Sequence, residues 1–323
     1  MNPGTTEKSL PFGVSRYYRS LSKCDDPTLD PIAAQFLPRQ EEAIRLPWES
    51  ADPIGDNRYA VTGRLIHHYH DRALLLVCDR CATYCRHCFR RHFTGSSSGR
   101  ITDGELSAAV DYLRDHPEIG EVLLSGGDPL MLSDRELEEI MTTLRGLRDD
   151  LLLRICSRMP VVLPARITEP LATLLGRFRP VWFVTQANHP AEVTDAFRQA
   201  VQRLLSQGVV TMNQSVLLRG VNDDEETLEK PFRSLLRAGV KPYYLFQGDL
   251  AVGTAHFRVP ISRGIELMSR LRSRLSGMAL PTYAVDLPEG GGKVAVEGAL
   301  LRVEPNSYVF RGSGGREYHY PRE

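Results

Sequence analysis

Between residues 72 and 276 the sequence switches six times from a short apolar run to an amphipathic one. The apolar runs fall at 72–78, 121–125, 151–156, 181–186, 210–218 and 242–247, and the helical patterns at 103–116, 133–147, 168–178, 191–207, 223–238 and 261–276. Strands joined in succession by helices run parallel, because each crossover returns the chain to the edge where the last strand began. Parallel strands are covered on both faces, so they read as continuous Leu/Val runs instead of alternating ones. The helix punctuation agrees: Asp103 precedes Glu105, Ser133 is followed three residues on by Glu136, and Asn222 leads into an acidic first turn. Gly120, Gly208, Gly239 and Gly277 mark helix ends. An α/β fold follows, either a doubly wound sheet or a barrel, complete or partial. In both, a site forms from polar groups just past the strand ends. Those positions are 78–88, 125–129, Ser157 with Arg158, Asn188 with His189, Asn213 and Gln214 with Arg219, and 247–249.

The first of them carries the strongest chemistry, Cys81-Ala-Thr-Tyr-Cys85-Arg-His-Cys88. Three thiolates can hold three irons of a four-iron cluster and leave the fourth open, whereas a closed zinc site takes four protein ligands. Zinc with Cys78, His87 or His92 as fourth ligand, and a plain set of buried cysteines, are the alternatives. After the second strand stands Ser125-Gly126-Gly127-Asp128-Pro129, whose paired glycines permit close backbone approach beside a carboxylate. Near the end, Asp286-Leu-Pro-Glu-Gly-Gly-Gly-Lys293 places a lysine after three glycines. Of 40 basic residues 35 are arginine, so any chemistry that needs an amine has five candidates, Lys8, Lys23, Lys230, Lys241 and Lys293. A lysine can form a Schiff base to a carbonyl cofactor. The 40 basic residues balance 40 acidic ones, which argues against a nucleic-acid or anionic-membrane footprint. No apolar run approaches the ~18 residues of a membrane span, and Met1 to Pro11 lacks a leader's apolar stretch. The expected location is the cytoplasm, where structural disulfides are not expected.

The Cys-x3-Cys-x2-Cys set, with an aromatic residue before its second cysteine, resembles the radical S-adenosylmethionine enzymes, which implies a partial (β/α)6 barrel. With the Gly-rich lysine loop the resemblance narrows to the lysine 2,3-aminomutase family. It extends through Tyr69-His-Asp-Arg72, Phe-Arg90-Arg91, Arg-Ile-Cys-Ser157-Arg158-Met-Pro, Asn188-His189-Pro, Asn213-Gln214 through Arg219 to Asn222, Pro-Tyr-Tyr-Leu-Phe-Gln-Gly-Asp249 and Ala-His256-Phe, about residues 28 to 295. The resemblance implies that Cys81, Cys85 and Cys88 ligate a [4Fe-4S] cluster. It implies that Ser125, Gly126, Gly127, Asp128, His189 and Gln214 hold S-adenosyl-L-methionine, the Gly-Gly-Asp segment taking its amino group. Lys293 is the implied Schiff-base lysine of pyridoxal 5'-phosphate, with Arg72 and Tyr69 at the phosphate. Arg90 is assigned the substrate α-carboxylate, and Asp249 with Asp286 the distal ammonium of lysine. The implied reaction interconverts L-lysine and L-β-lysine by a radical shift of the amino group from C2 to C3, the electron coming from a flavodoxin or ferredoxin.

Residues 1–70, rich in proline and turns, read as an N-terminal extension with short helices, 71–280 as the barrel, and 281–323 as a segment with the lysine loop and a β-like tail over about 298–320. The sequence also departs from the family. Its larger members bind an intersubunit zinc through a cysteine near position 224 and a C-terminal cysteine cluster. Here Asp224 stands at that place and no cysteine follows Cys156, so the basis for that zinc and its style of dimer is missing and a homo-oligomer of another kind stays open. Leu287 and Glu289 stand where the family more often has small residues beside the lysine loop, a departure expected to change the pocket. The competing functions are a 2,3-aminomutase for another amino acid such as arginine, a β-lysine supplier for elongation factor P, and, outside enzymes, an iron–sulfur or zinc redox-sensing scaffold.

Overall fold

The computed structural model describes residues 10–96 and 99–322; the opening stretch read for a leader lies almost wholly outside them. Nine strands form one sheet in chain order: β1 (Leu65–Tyr69), β2 (Arg72–Cys78), β3 (Glu121–Gly126), β4 (Leu152–Cys156), β5 (Val181–Thr185), β6 (Val210–Leu217), β7 (Lys241–Gln247), β8 (Thr282–Leu287) and β9 (Gly292–Ala295). β2 through β8 are parallel, and β1 and β9 pair antiparallel at the two edges. Six helices alternate with the parallel strands: α1 (Asp103–Asp115), α2 (Asp134–Leu147), α3 (Glu169–Arg177), α4 (Asp195–Ser206), α5 (Glu225–Arg237) and α6 (Ile261–Arg272). The six units read from the sequence are all present. A seventh parallel strand, β8, and its partner β9 fall in the segment where the sequence was read only for its lysine motif.

The helices bury the face that their periodicity dictates. In α2 this is Leu137, Ile140, Met141 and Leu144, spaced three and four apart. Ser133 and Glu136 form the expected capping box, and in α1 the box is Thr102 with Glu105. α5 is capped by Asp224, whose side chain accepts the Thr227 N–H, and not by Asn222. Asn222 is instead buried, bonding Leu218 N and the carbonyls of Asn188 and Val216. The helical pattern at 191–207 divides into a turn at Pro190–Glu192 and α4, because Thr194 caps the latter.

The nearly closed sheet is completed by side chains across its gap. Tyr69 Oη, on β1, accepts the Lys293 N–H of β9 at 2.9 Å, and a His68 ring nitrogen lies 3.3 Å from Gly290 O. β1 falls in the stretch read as an extension of short helices; its Leu-Ile-His-His-Tyr sequence is too short to show alternation. The rest of that stretch folds over the cysteine loop. Tyr18, Ile32, Ala33 and Phe36 join the main core, while Gly13 O and Gln35 O accept the backbone N–H groups of Tyr84 and Arg86. At the other end β10 (Leu300–Val303), β11 (Ser307–Arg311) and β12 (Glu317–Pro321) form the expected β tail, an antiparallel meander. It buries Tyr308, Phe310 and Tyr320 against the barrel, and Tyr320 Oη donates to Gly248 O beside Asp249. Among the described residues no helix is long and apolar enough to cross a membrane.

Candidate active site

A cavity of about 540 Å³, within the range of small-molecule sites, runs into the barrel. Cys81, Cys85, Cys88, Ser125, Gly126, Gly127, Asp128, Gln214, Tyr69, Arg72, Arg90, Asp249, Asp286 and Lys293 all line it. Thus fourteen positions on strands and loops, separated by up to 224 residues, meet in one space. His189 is not among the lining residues: its Nδ1 accepts the Ala191 N–H and caps the turn at Pro190–Glu192.

The cysteine loop is held at its base by the second motif. Gly127 N donates to Cys78 O at 2.6 Å and Asp128 N to Arg80 O at 2.8 Å. A Cβ on Gly126 or Gly127 would overlap the backbone of Cys78 or Arg80, so the close approach these glycines permit is to the chain itself. The buried Asp128 carboxylate accepts from Ser157 Oγ, Leu130 N and Arg158 N, tying the end of β3 to that of β4. Burial raises its carboxyl above the ordinary range, against those hydrogen bonds.

The cysteines do not form a closed zinc cage. A tetrahedral zinc with Zn–S near 2.3 Å brings sulfurs to about 3.8 Å of one another. Among the described residues the group of three ligand atoms mutually within 4.8 Å is Asp52, Asp56 and His92, and the three cysteines are not such a group. Three thiols on one loop that opens into the cavity are the donor set a four-iron cluster takes. Of the side chains offered as a fourth zinc ligand, Cys78 and His92 do not line the cavity and His87 does. Cys78 Sγ accepts the Arg80 N–H, His87 Nε2 faces the Gln186 and Asn188 side-chain amides, and His92 lies beside Asp52 and Asp56.

At the edge gap, Lys293 stands opposite Asp286 in the β8–β9 pairing, its Nζ 3.5 Å from Asp286 Oδ2 and 4.4 Å from the Phe246 ring centre. The Gly-rich motif is therefore the hairpin turn between two strands. Gly290 (φ +76°) has no room for a Cβ beside Tyr59, and Gly291 none beside Leu287 and Tyr318. Leu287 is buried in the core, and Glu289, left-handed at φ +57°, is exposed; neither lines the cavity, so the two departures leave its walls unchanged. Arg72 stacks over the Tyr69 ring at 3.9 Å, a cation beside the lysine's own strand. A lysine amine, a planar guanidinium and flanking aromatic rings are groups that fit pyridoxal phosphate.

Two carboxylates share the same wall. Burial first, and then the neighbouring Asp286, push the Asp249 carboxyl up to about 8. Arg90, buried, donates Nε to Asp56 Oδ2 at 2.7 Å. Asp56 was invisible to sequence reasoning, since a Gly-Asp-Asn turn carries no sign of a partner 34 residues away. Arg158 was noted only by position. Its Nη1 lies 2.7 Å from Cys85 Sγ.

A barrel with this three-cysteine loop at a strand end defines a radical S-adenosylmethionine protein. The Radical SAM superfamily model matches residues 75–230, and the Lysine-2,3-aminomutase model matches residues 268–321. A solved radical SAM methyltransferase from Sphaerobacter thermophilus has the same fold, with a TM-score of 0.51, 18% identity and 68% of each chain covered. The chain is 44% identical to the L-lysine 2,3-aminomutase of Clostridium subterminale over 90% of its own length and 69% of that protein. It is 37% identical to the glutamate 2,3-aminomutase of Clostridioides difficile, over 93% and 70%. The chain belongs to the lysine 2,3-aminomutase family. It is an enzyme, an isomerase, and its cofactors are a [4Fe-4S] cluster, S-adenosyl-L-methionine and pyridoxal 5'-phosphate.

Proposed function

We propose that this enzyme interconverts L-lysine and L-β-lysine, and the observation that carries the reading is the pair Asp249 and Asp286 on the wall that also holds Lys293. A side chain with a distal ammonium lets both carboxylates ionise against it, and a side chain with a carboxylate adds a further acidic group to a buried acidic pair. When bound, the cluster with S-adenosylmethionine supplies a carbon radical that takes hydrogen, and pyridoxal phosphate supplies the carbonyl that carries the migrating amino group. Cys81, Cys85 and Cys88 hold the iron. Lys293 anchors pyridoxal phosphate, with Arg72 and Tyr69 at its phosphate. Arg90 grips the substrate α-carboxylate, for which a guanidinium fork is suited, and Asp56 fixes the fork's orientation. The Gly126–Gly127–Asp128 backbone and Gln214 face S-adenosylmethionine; His189 is assigned there on the family resemblance alone. The barrel walls keep water from the radical.

An electron from a flavodoxin or ferredoxin would reduce the cluster before turnover begins, and the isomerisation itself is redox-neutral. The cytoplasm suits the six free cysteines. The deciding experiment measures kcat/KM for lysine, arginine and glutamate side by side with the anaerobically reconstituted enzyme. Lysine is expected to lead, and a preference for glutamate overturns the reading. Arginine, whose guanidinium can also meet two carboxylates, is the competitor this comparison ranks.

Borohydride reduction of the cofactor-replete protein is expected to fix pyridoxal phosphate to Lys293 and to leave Lys8, Lys23, Lys230 and Lys241 unlabelled. Peptide mapping checks this, and label on another lysine removes Lys293 from its role.

A further inference from the structure

Arg158, just past β4, is buried at 7% exposure, and all three of its nitrogens are engaged. Nε donates to Gln186 O at 3.2 Å. Nη2 donates to Glu192 Oε1 at 2.7 Å, to Gln35 Oε1 at 2.5 Å and to Tyr18 Oη at 3.0 Å. Nη1 faces the other way, 2.7 Å from the sulfur of Cys85. Glu192 is itself fully buried and fixed. Its Oε1 also accepts the Tyr18 hydroxyl, and its Oε2 accepts the backbone N–H groups of Asn188 and His189 at 2.5 and 2.8 Å. The guanidinium is clamped on one side by a carboxylate and two neutral acceptors. Its opposite edge presents positive charge to a cysteine of the cluster loop.

We infer that Arg158 is a positioning residue for the iron–sulfur cluster, one that orients the Cys85 sulfur and raises the cluster's reduction potential. The physical ground is charge balance. Adding an electron makes the cluster more negative, so a fixed cation in a poorly solvated site stabilises the reduced form more than the oxidised one. Hydrogen bonds to cluster sulfurs act in the same direction. Glu192 opposes this field from the far edge of the guanidinium, and so holds the arginine in place while tempering its effect. Tyr18 and Gln35 come from the segment that folds over the cysteine loop, so the same contacts make that segment part of the redox site. The inference rests on Cys81, Cys85 and Cys88 holding the cluster, and iron analysis of the wild type tests that assignment separately.

The experiment is an EPR-monitored redox titration of the anaerobically reconstituted protein and of Arg158→Gln, Arg158→Lys and Glu192→Gln, with iron measured in each. Arg158→Gln is expected to shift the midpoint to more negative potential. Glu192→Gln, which removes the opposing charge, is expected to shift it to more positive potential. Arg158→Lys, which keeps the charge, is expected to retain iron and to lie closer to the wild type than Arg158→Gln does. A merely structural role predicts no shifts of opposite sign. Identical midpoints in all four proteins, shifts of the same sign for Arg158→Gln and Glu192→Gln, or loss of iron from Arg158→Lys would each overturn the inference. Should Arg158→Gln fail to hold iron, the direction of the Glu192→Gln shift decides.

Discussion

Replacing Cys81, Cys85 or Cys88 with alanine, one at a time, is expected to abolish aminomutase activity and to remove most of the roughly four irons of an intact cluster. Each thiolate is one of the three ligands proposed for the cluster, and a three-cysteine site has none to lose. Cys78 Sγ accepts the Arg80 N–H and His87 faces two side-chain amides. Cys156, although it lines the cavity, sits at the end of β4, outside the three-cysteine loop. Cys156→Ala is therefore the control, expected to keep its iron. The readouts are iron content and the change that S-adenosylmethionine makes in the EPR spectrum of the reduced protein. Wild-type iron and activity in all three alanine variants would remove the cluster from this loop.

Much of this site was legible because its residues sit in motifs that announce themselves by spacing. The Cys81–Cys88 loop, the Gly-Gly-Asp turn and the Gly-rich lysine loop each lie immediately after a strand, and parallel strands bring their C-terminal ends to one face. Six strand–helix repeats were enough to forecast that convergence. Hidden were the groups whose meaning depends on distant partners. Asp56 acquires its role from Arg90, and Glu192 from Arg158 and from Tyr18, 174 residues earlier in the chain. No local period encodes such pairs.

Short β-structure was hidden for a different reason. β1 has five residues and β9 four, too few for alternation to stand out from noise. Both are edge strands whose position is fixed by contacts across the gap, such as the Tyr69 hydroxyl with the Lys293 N–H. The reading of Leu287 and Glu289 failed on the same point. Adjacent to a site in sequence, Leu287 ends its strand on the core side, opposite to Asp286, while Glu289 lies beyond the strand in a turn whose left-handed backbone leaves it exposed.

Asp249→Asn and Asp286→Asn are each expected to lower kcat/KM for lysine by roughly two to four orders of magnitude. Removing one partner of a desolvated ion pair costs ~3 to 5 kcal/mol, and ~1.4 kcal/mol corresponds to one decade of rate. Iron content and the borohydride label on Lys293 are expected to survive in both. The pH profile adds a check that is independent of magnitude. In the ligand-free protein Asp249 holds its proton up to about pH 8, because burial and Asp286 disfavour its charge. A neutral carboxyl offers the substrate ammonium no countercharge, so kcat/KM for lysine is expected to rise with pH toward that value and to level above it. Asp249→Asn removes the titrating group, and with it the rise. Asp286→Asn removes the neighbouring charge instead, so Asp249 ionises more readily and the rise is expected to move to lower pH. A rise that persists unmoved in both variants would assign the pH dependence to another group and leave the two carboxylates without their role in selecting the substrate.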